Sequence, residues 1–229
     1  MHILALDAST KTLGVAIATE DTLCGEINLN VGKTHSQRLL PVLENLFVQM
    51  ELSLRDISAI AVTVGPGSFT GLRIGLATAK GLAQALAISV VPIITLDALA
   101  FKARGYTGFC APVLDARKNE IYCAFYDSNG QNILLPAALP PAEFFNLLSD
   151  CPGPINFLGD GAKMYWPQIY DTLGKKAILL PEESRLFMAS AVAMLGMAKL
   201  QAGEVVQPGD LLPVYLRASE AEVRRLAHE

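Results

Sequence analysis

The stretch GPGSFTGLRIG, residues 65–75, decides the fold because the hydrophobic pattern changes across it. The residues before it, 59–64, are apolar and mostly β-branched or small, which predicts a buried strand. The residues after it, 72–87, are rich in Ala and Leu and contain no Pro, which predicts a helix. The stretch is therefore predicted to be a strand–loop–helix turn in which Ser68 or Thr70 caps the helix.

The glycines of this turn, Gly65, Gly67 and Gly71, form what we call the glycine loop. Glycines permit positive φ and close backbone approach, and the free N–H groups at a helix start bind anions. The loop is thus either a phosphate cradle or a tight turn that lets other backbone pack closely. The loop is not a Walker A motif, because no glycine followed by Lys-Ser or Lys-Thr lies in it, and Pro66 removes one amide from such a cradle.

Composition narrows the class of protein. The 229 residues suffice for one large domain or two lobes, and 52% of them are hydrophobic, which indicates apolar surface left for a partner. The net charge of -4 argues against this chain alone binding a nucleic-acid backbone. Four scattered cysteines without a CxxC pair predict reduced thiols and a cytoplasmic location. We expect neither a membrane span nor a signal peptide, because charged and polar residues interrupt every long apolar run.

The order of predicted elements indicates an α/β protein with two lobes. Residues 1–104 read as three antiparallel strands followed by helix, strand, helix, strand and helix, which predicts a sheet that is partly parallel. Residues 105–229 read as a second lobe that begins with a strand and a hairpin. In this lobe residues 184–202 are predicted to form one long amphipathic helix, and the charged tail 220–229 is predicted to be mobile.

The first predicted hairpin carries a candidate nucleotide site. Asp7 ends a buried strand, and Ser9 and Thr10 follow in the turn. Hydroxyls and turn amides can hold phosphate oxygens, and the acid can hold the water shell of a metal. The same residue types also make stable hairpin turns without any ligand, so both interpretations remain open.

Two helices carry more apolar surface than one sheet face requires. Residues 34–51 are predicted to form a helix that starts with a capping box of Thr34 and Gln37 and contains Pro41. The helix at 72–87 shows small residues at every fourth position, a pattern of either a core helix or a helix covered by another protein. The predicted partner interface consists of Leu39, Leu43, Leu46, Phe47, Met50, Gly75, Ala79 and Ala83.

Residues for catalysis are not grouped in the sequence. The histidines His2, His35 and His228 are far apart, and there is no HExxH or HxxxH pair. No serine lies in a nucleophile elbow, and no two carboxylates are paired by spacing. We therefore predict no catalytic residue and no metal site in this chain.

Taken together, these stretches resemble the TsaB (YeaZ) family nearly from end to end. The glycine loop with its flanks, residues 65–75, is the most specific match. The supporting matches are ILALDAST (3–10), THSQRLLP (34–41), LDARKNEIY (114–122) and PVYLR (213–217).

The resemblance implies an actin/Hsp70/sugar-kinase-like fold, with two lobes that each contain a mixed β-sheet flanked by helices. It implies a non-catalytic subunit required for threonylcarbamoyladenosine in tRNAs that read codons beginning with A. Such a subunit dimerises with the catalytic paralogue TsaD, which carries the metal, and the ATPase TsaE completes the complex. The resemblance further implies a homodimer when the chain is alone, contact with tRNA only through the complex, and no membrane.

Two departures from related proteins follow from the same resemblance. TsaD has a metal-binding HxxxH where this chain has Thr95 and Leu99, and neither side chain can replace an imidazole at a transition metal. Ala8 stands where many nucleotide-binding members have glycine. We therefore expect no cofactor and at most weak ATP or ADP binding, at Asp7, Ser9 and Thr10, near the interface of the complex. The alternative is a nucleotide-dependent enzyme of the same fold, an ATPase or kinase that uses this hairpin.

Overall fold

A computed structural model describes residues 1–30 and 35–217 of the chain. The predicted capping residue Thr34 and the predicted mobile tail 220–229 lie outside the described residues. The first sheet has five strands, which are β1 (His2–Asp7), β2 (Leu13–Ala18), β3 (Leu23–Leu29), β4 (Ile57–Gly65) and β5 (Ser89–Ile94). They lie in the order β3-β2-β1-β4-β5, with β1 antiparallel to β2 and parallel to β4.

Helices cover both faces of the first sheet because apolar side chains alternate along its strands. In β1, Leu4 and Leu6 pack under helices α1 and α2, whereas Ile3 and Ala5 pack under α3 and α8 on the opposite face. The sheet is therefore buried on both sides, as a parallel-containing sheet requires. The helices are α1 (His35–Met50), α2 (Phe69–Leu86), α3 (Thr95–Lys102) and α8 (Ala189–Gln201).

The second sheet also has five strands, in the order β10-β9-β6-β7-β8, and it is mixed as well. Its outer face packs against α4, α5 and α6 in a separate apolar core. Among the described residues no helix is long and apolar enough to cross a membrane. The elements are β6 (Phe109–Arg117), β7 (Glu120–Tyr126), β8 (Asn132–Leu139), α4 (Pro141–Leu147), β9 (Ile155–Leu158), α5 (Asp160–Met164), α6 (Trp166–Leu173), β10 (Ala177–Leu179) and α7 (Glu182–Leu186).

A central layer of helices joins the two sheets. Side chains of α3 and α8 share one apolar core with residues of both sheets, such as Ala61 from β4 and Leu114 from β6. In α8 the closest approach is at Gly196, where an added Cβ would lie 2.4 Å from the Cβ of Ala61. The two mixed sheets with flanking helices confirm the predicted fold class.

The prediction of one amphipathic helix over residues 184–202 was wrong in two respects. The segment forms two helices, α7 and α8, which are separated at residues 187–188, and the Thr12 hydroxyl donates to the carbonyl of Leu186 at the end of α7. Moreover α8 is covered almost all round, because it lies between the two sheets. A helix in that position needs no polar face.

The end of the described chain returns to the first sheet. α8 contacts all five strands of that sheet, and Val206 pairs with Val90 on β5. Further on, the Val214 amide donates to the carbonyl of Val64 over 2.8 Å. The division into residues 1–104 and 105–229 stays a prediction, and the structure adds that the chain from residue 189 packs with the first sheet.

Candidate functional site

The glycine loop connects β4 to α2, as the sequence predicted. Ser68 is the capping residue, because its Oγ accepts a hydrogen bond from the Gly71 amide over 3.3 Å. At the other end α2 stops at Ala87, which adopts a left-handed conformation with φ 53°. The strand, the loop and the capped helix therefore follow from local sequence signals.

The three glycines of this loop are pressed against other backbone. An added Cβ would lie 2.3 Å from the Val214 carbonyl oxygen at Gly65 and 2.2 Å from the Ser9 oxygen at Gly67. At Gly71 it would lie 2.0 Å from the carbonyl oxygen of Ala8. The Ser68 amide also donates to the Ser9 carbonyl over 2.6 Å. These contacts support the interpretation of the loop as a tight turn that packs on the first hairpin, since its backbone faces protein.

The carboxylate of Asp7 is the centre of a buried hydrogen-bond network at the end of β1. Its Oδ1 accepts from the Ser9 amide at 3.1 Å, from the Ser9 hydroxyl at 2.6 Å and from the Thr63 hydroxyl at 2.9 Å. Only 1% of Asp7 is exposed. Burial raises the pKa of Asp7, and the hydrogen bonds from Ser9 and Thr63 oppose that rise. Its Oδ2 has no hydrogen-bond partner within the part of the chain that the structure describes.

His35 connects the start of α1 to the same hairpin. Its Nε2 lies 2.8 Å from the carbonyl oxygen of Thr10. Because a carbonyl oxygen can only accept, Nε2 carries the proton and donates. His35 thus fixes the start of the helix, and it is not part of a metal cluster, since residues 1–30 and 35–217 contain no group of three or more potential metal ligands.

The structure turns most of the predicted nucleotide site inward. Asp7 and Ser9 are buried and bonded to each other, so in this conformation their side chains do not reach a ligand. Thr10 lines a cavity of about 110 Å³, and neither Asp7 nor Ser9 is part of the wall of that cavity. Pockets for small ligands usually measure roughly 300–1,000 Å³. Weak nucleotide binding therefore stays a prediction, and its side-chain ligands are corrected to exclude Asp7 and Ser9.

Charged residues from both lobes line this cavity, and local sequence patterns indicated only some of them. Asp160 accepts from the Asp115 amide over 3.2 Å, and burial raises the pKa of its carboxyl group against the opposing charge of Lys11. Arg185 is buried and donates from Nε to the Leu180 carbonyl over 2.7 Å. The GDG turn at 159–161 was a visible signal for Asp160, whereas no pattern marked Arg185. Among the described residues the cavity wall carries two positive side chains, Lys11 and Arg185, and the carboxyl group of Asp160.

The predicted interface residues lie inside the chain. Gly75, Ala79 and Ala83 face the first sheet from α2, and Gly75 sits next to Ala8 and Val62. The residues named on α1 are buried in the same core, and Met50 is packed against it while half-buried. As a partner surface this set was wrong, because the lines of small and apolar residues point to the chain's own sheet. The corrected residues are Leu39, Leu43, Leu46, Phe47, Met50, Gly75, Ala79 and Ala83.

Both helices nevertheless present apolar or small residues on their outer faces. On α1, Leu40 is 55% exposed and Val48 is 67% exposed. On α2, Ala77 and Gly81 are exposed, and an added Cβ at Gly81 would meet no atom within 4 Å. The two helices contact each other, so these outer faces are neighbours. We call the four residues the outer patch.

Known proteins with similar sequences indicate the family. A family model described as "TsaD: tRNA N6-adenosine threonylcarbamoyltransferase" matches residues 28–156. The protein "tRNA threonylcarbamoyladenosine biosynthesis protein TsaB" of Bacillus subtilis (strain 168) is 34% identical over 98% of this chain and 97% of its own length. The protein of the same description from Escherichia coli (strain K12) is 33% identical over 96% of each chain.

Solved structures agree with this assignment. YeaZ from Pseudomonas aeruginosa superposes with a TM-score of 0.78 at 29% identity, over 94% of this chain and 99% of that one. The activator of the 2-hydroxyisocaproyl-CoA dehydratase from Clostridium difficile, solved with bound ADPNP, has a TM-score of 0.55 at 11% identity over 89% and 97% of the two chains, which shows a shared fold only. With two relatives matched over nearly their full length, the chain belongs to the TsaB (YeaZ) family.

Proposed function

We propose that this chain is a non-catalytic subunit in the biosynthesis of threonylcarbamoyladenosine in tRNA, and that it acts by binding a TsaD-type catalytic paralogue. The observation that carries the proposal is the near-full-length similarity to two proteins named for this biosynthesis. The match to the TsaD family model supports a paralogous partner, because two chains of one fold pair readily through equivalent surfaces.

The environment of α3 supports the non-catalytic role. By the resemblance, Thr95 and Leu99 occupy the positions of the two metal-binding histidines of TsaD. Both residues are fully buried, and Leu99 packs in the central core between the sheets. A catalytic metal site keeps an open coordination position for its substrate. Here both corresponding positions are buried, and apolar packing closes the one at Leu99.

The outer patch supports the partner role. Leu40 and Val48 expose large apolar side chains, which a partner would remove from water. Ala77 and Gly81 are small, so a helix of the partner can approach α2 closely. Two helices from each chain would form a four-helix bundle. We propose the same patch for a homodimer when the paralogue is absent, with a TsaE-type ATPase and tRNA joining only in the complex.

The test compares two leucines on the same helix. Leu40→Asp changes an exposed side chain, so we expect a folded protein that loses the homodimer, co-purification with TsaD and tRNA modification together. Leu43→Asp places a charge where the leucine is 5% exposed, and we expect it to lose several kcal/mol of stability. Leu147→Asp, at a site 60% exposed on α4, is the matched control and should change neither property.

Dimerisation is measured by light scattering. Complex formation is measured by co-purification with tagged TsaD. tRNA modification is measured by analysis of tRNA nucleosides from a strain that carries each variant. Normal complex formation and normal modification by folded Leu40→Asp would remove the support for this surface.

A further inference from the structure

The segment of residues 211–217, which we call the strap, is fixed to the rest of the chain along its length. Leu211 is buried in the core beneath α1 and α2. The Val214 amide donates to the Val64 carbonyl, and the Val214 carbonyl covers Gly65. Arg217 donates to the Ala116 carbonyl over 3.1 Å and pairs with Glu120 in the second lobe. The strap is therefore an ordered part of the surface beside the glycine loop.

One residue of the strap builds a cluster with the first turns of α2. The ring of Tyr215 stacks on Phe69 with a centroid separation of 4.9 Å and an interplanar angle of 30°. The guanidinium of Arg73 lies 3.8 Å from the Phe69 ring centroid, and its Nε donates to the Tyr215 hydroxyl over 3.3 Å. We call these three residues the aromatic–arginine cluster.

The cluster is held in one arrangement while part of it stays open. Tyr215 is 38% exposed and Arg73 is exposed. Among the described residues the Tyr215 hydroxyl is the only hydrogen-bond acceptor that contacts the Arg73 guanidinium. Four of the five N–H donors of the guanidinium therefore have no acceptor within residues 1–30 and 35–217. The Phe69 ring and the Tyr215 hydroxyl together hold the guanidinium in place.

The position of the cluster indicates its occupant. Arg73 is followed at intervals of four by Ala77 and Gly81, so the cluster continues the outer patch along one face of α2. Tyr and Arg are the residue types that dominate protein–protein binding energy, and groups that are rigid before binding lose little entropy on association. The net charge of -4 and the acidic Glu120 nearby do not favour a polyanion at this place.

We propose that the aromatic–arginine cluster anchors the TsaD-type paralogue, which places a carboxylate against the Arg73 guanidinium and apolar surface against the Tyr215 ring. This inference rests on the proposed function. It adds that the strap, which follows α8 in the chain, is part of the interface, and that the partner's contact residue at Arg73 is acidic. A carboxylate matches the two parallel donors of a guanidinium, whereas an ammonium offers no such fork.

The experiment measures the dissociation constant of each variant for purified TsaD from the same organism by calorimetry. We expect Arg73→Ala, Arg73→Lys and Tyr215→Ala each to raise it at least about tenfold, which corresponds to about 1.4 kcal/mol. Tyr215→Phe keeps the stacked ring, so it should change the constant less than Tyr215→Ala. Tyr170→Ala, at an exposed tyrosine on α6, is the matched control and should bind as wild type does.

Arg73 is exposed, so its variants remain folded. They therefore test the proposal even if Tyr215→Ala lowers the melting temperature of the protein. Wild-type affinity of Arg73→Ala together with loss of binding by Leu40→Asp would overturn this inference and leave the proposed function standing. Loss of binding by the cluster variants while Leu40→Asp binds normally would support the cluster and contradict the outer patch. Unchanged TsaD affinity with weakened tRNA binding would assign the cluster to nucleic acid and overturn the inference as well.

Discussion

The packing of the glycine loop on the first hairpin can be tested with one substitution made twice on the same helix. Gly71→Ala adds a Cβ 2.0 Å from the Ala8 carbonyl oxygen, whereas Gly81→Ala adds one where no atom lies within 4 Å. On helix propensity alone each change would stabilise the protein by up to about 1 kcal/mol. The two sites therefore differ only in what the new methyl group meets.

At Gly71 steric repulsion exceeds the propensity gain. Overpacking costs about 1–3 kcal/mol, and the upper end applies because the contact is with a carbonyl oxygen of the backbone, which cannot rotate away as a side chain can. We expect a net loss of about 2 kcal/mol for Gly71→Ala, and a gain of about 1 kcal/mol for Gly81→Ala. For a chain of this size these values correspond to a melting temperature about 4–8 °C lower and about 2–4 °C higher, respectively.

The assay is urea and thermal unfolding of the isolated chain, followed by circular dichroism. Equal or greater stability of Gly71→Ala relative to wild type would refute the close contact between loop and hairpin. Because the proposed homodimer would cover Gly81, the measurement is made at a protein concentration at which light scattering shows a monomer. A loss of stability in Gly81→Ala under those conditions would show that α2 is covered at that point by the chain itself, so that the outer patch is not open.

Two further predictions concern the first hairpin. Because burial raises the pKa of Asp7 above its ordinary 3.8, the folded state holds the proton more tightly than the unfolded state. The free energy of unfolding should therefore fall as pH rises from 3.8 through the raised pKa. Thermal melts of Asp7→Asn should lack this pH dependence, and an unchanged pH profile would contradict the prediction. Calorimetric titration of the purified protein with ATP and magnesium should give a dissociation constant above micromolar, which is a binding free energy weaker than about -8 kcal/mol. We expect weak binding because Asp7 and Ser9 are turned inward. Tighter binding would favour the nucleotide-dependent enzyme.

The strands and helices around the glycine loop were predictable because their signals are local. A run of small and β-branched residues before residue 65 and an Ala-rich run after residue 72 suffice to specify β4 and α2, and Ser68 specifies the start of the helix. The hairpin β7–β8 was predictable for the same reason, since the turn residues 127–130 follow its first apolar strand directly. In these elements the residue types and the turn signals at their ends suffice to determine the element type.

The central layer was not predictable from such patterns. α8 is buried between two sheets, so its sequence lacks the polar stripe that marks a surface helix and defines its boundaries. At its start the Ser190 amide donates to the Glu26 carboxylate over 2.7 Å, a contact from far away in the chain. Neither the position of the helix nor its separation from α7 is encoded within the segment itself.

The choice of which face of α2 is buried shows a further limit of predictions from residue periodicity. Two lines of small residues run along this helix, and a shift of two positions separates the buried Gly75 and Ala79 from the exposed Ala77 and Gly81. Both lines have the spacing of four that suits close helix packing. The sequence predicts that something packs closely on α2. Only the three-dimensional structure shows that one line meets the chain's own sheet, which leaves the other for a partner.

The first hairpin acts as a common base for both helices of the outer patch. Its carbonyl oxygens at residues 8, 9 and 10 contact, in turn, Gly71 at the start of α2, the Ser68 amide that precedes it, and the His35 ring at the start of α1. The buried Asp7 holds this hairpin through Ser9 and links it to Thr63 on β4. In this chain the polar groups of the hairpin are used internally, and the relative placement of α1 and α2 depends on them. A substitution such as Gly71→Ala should therefore weaken partner binding as well as stability, although it lies outside the outer patch.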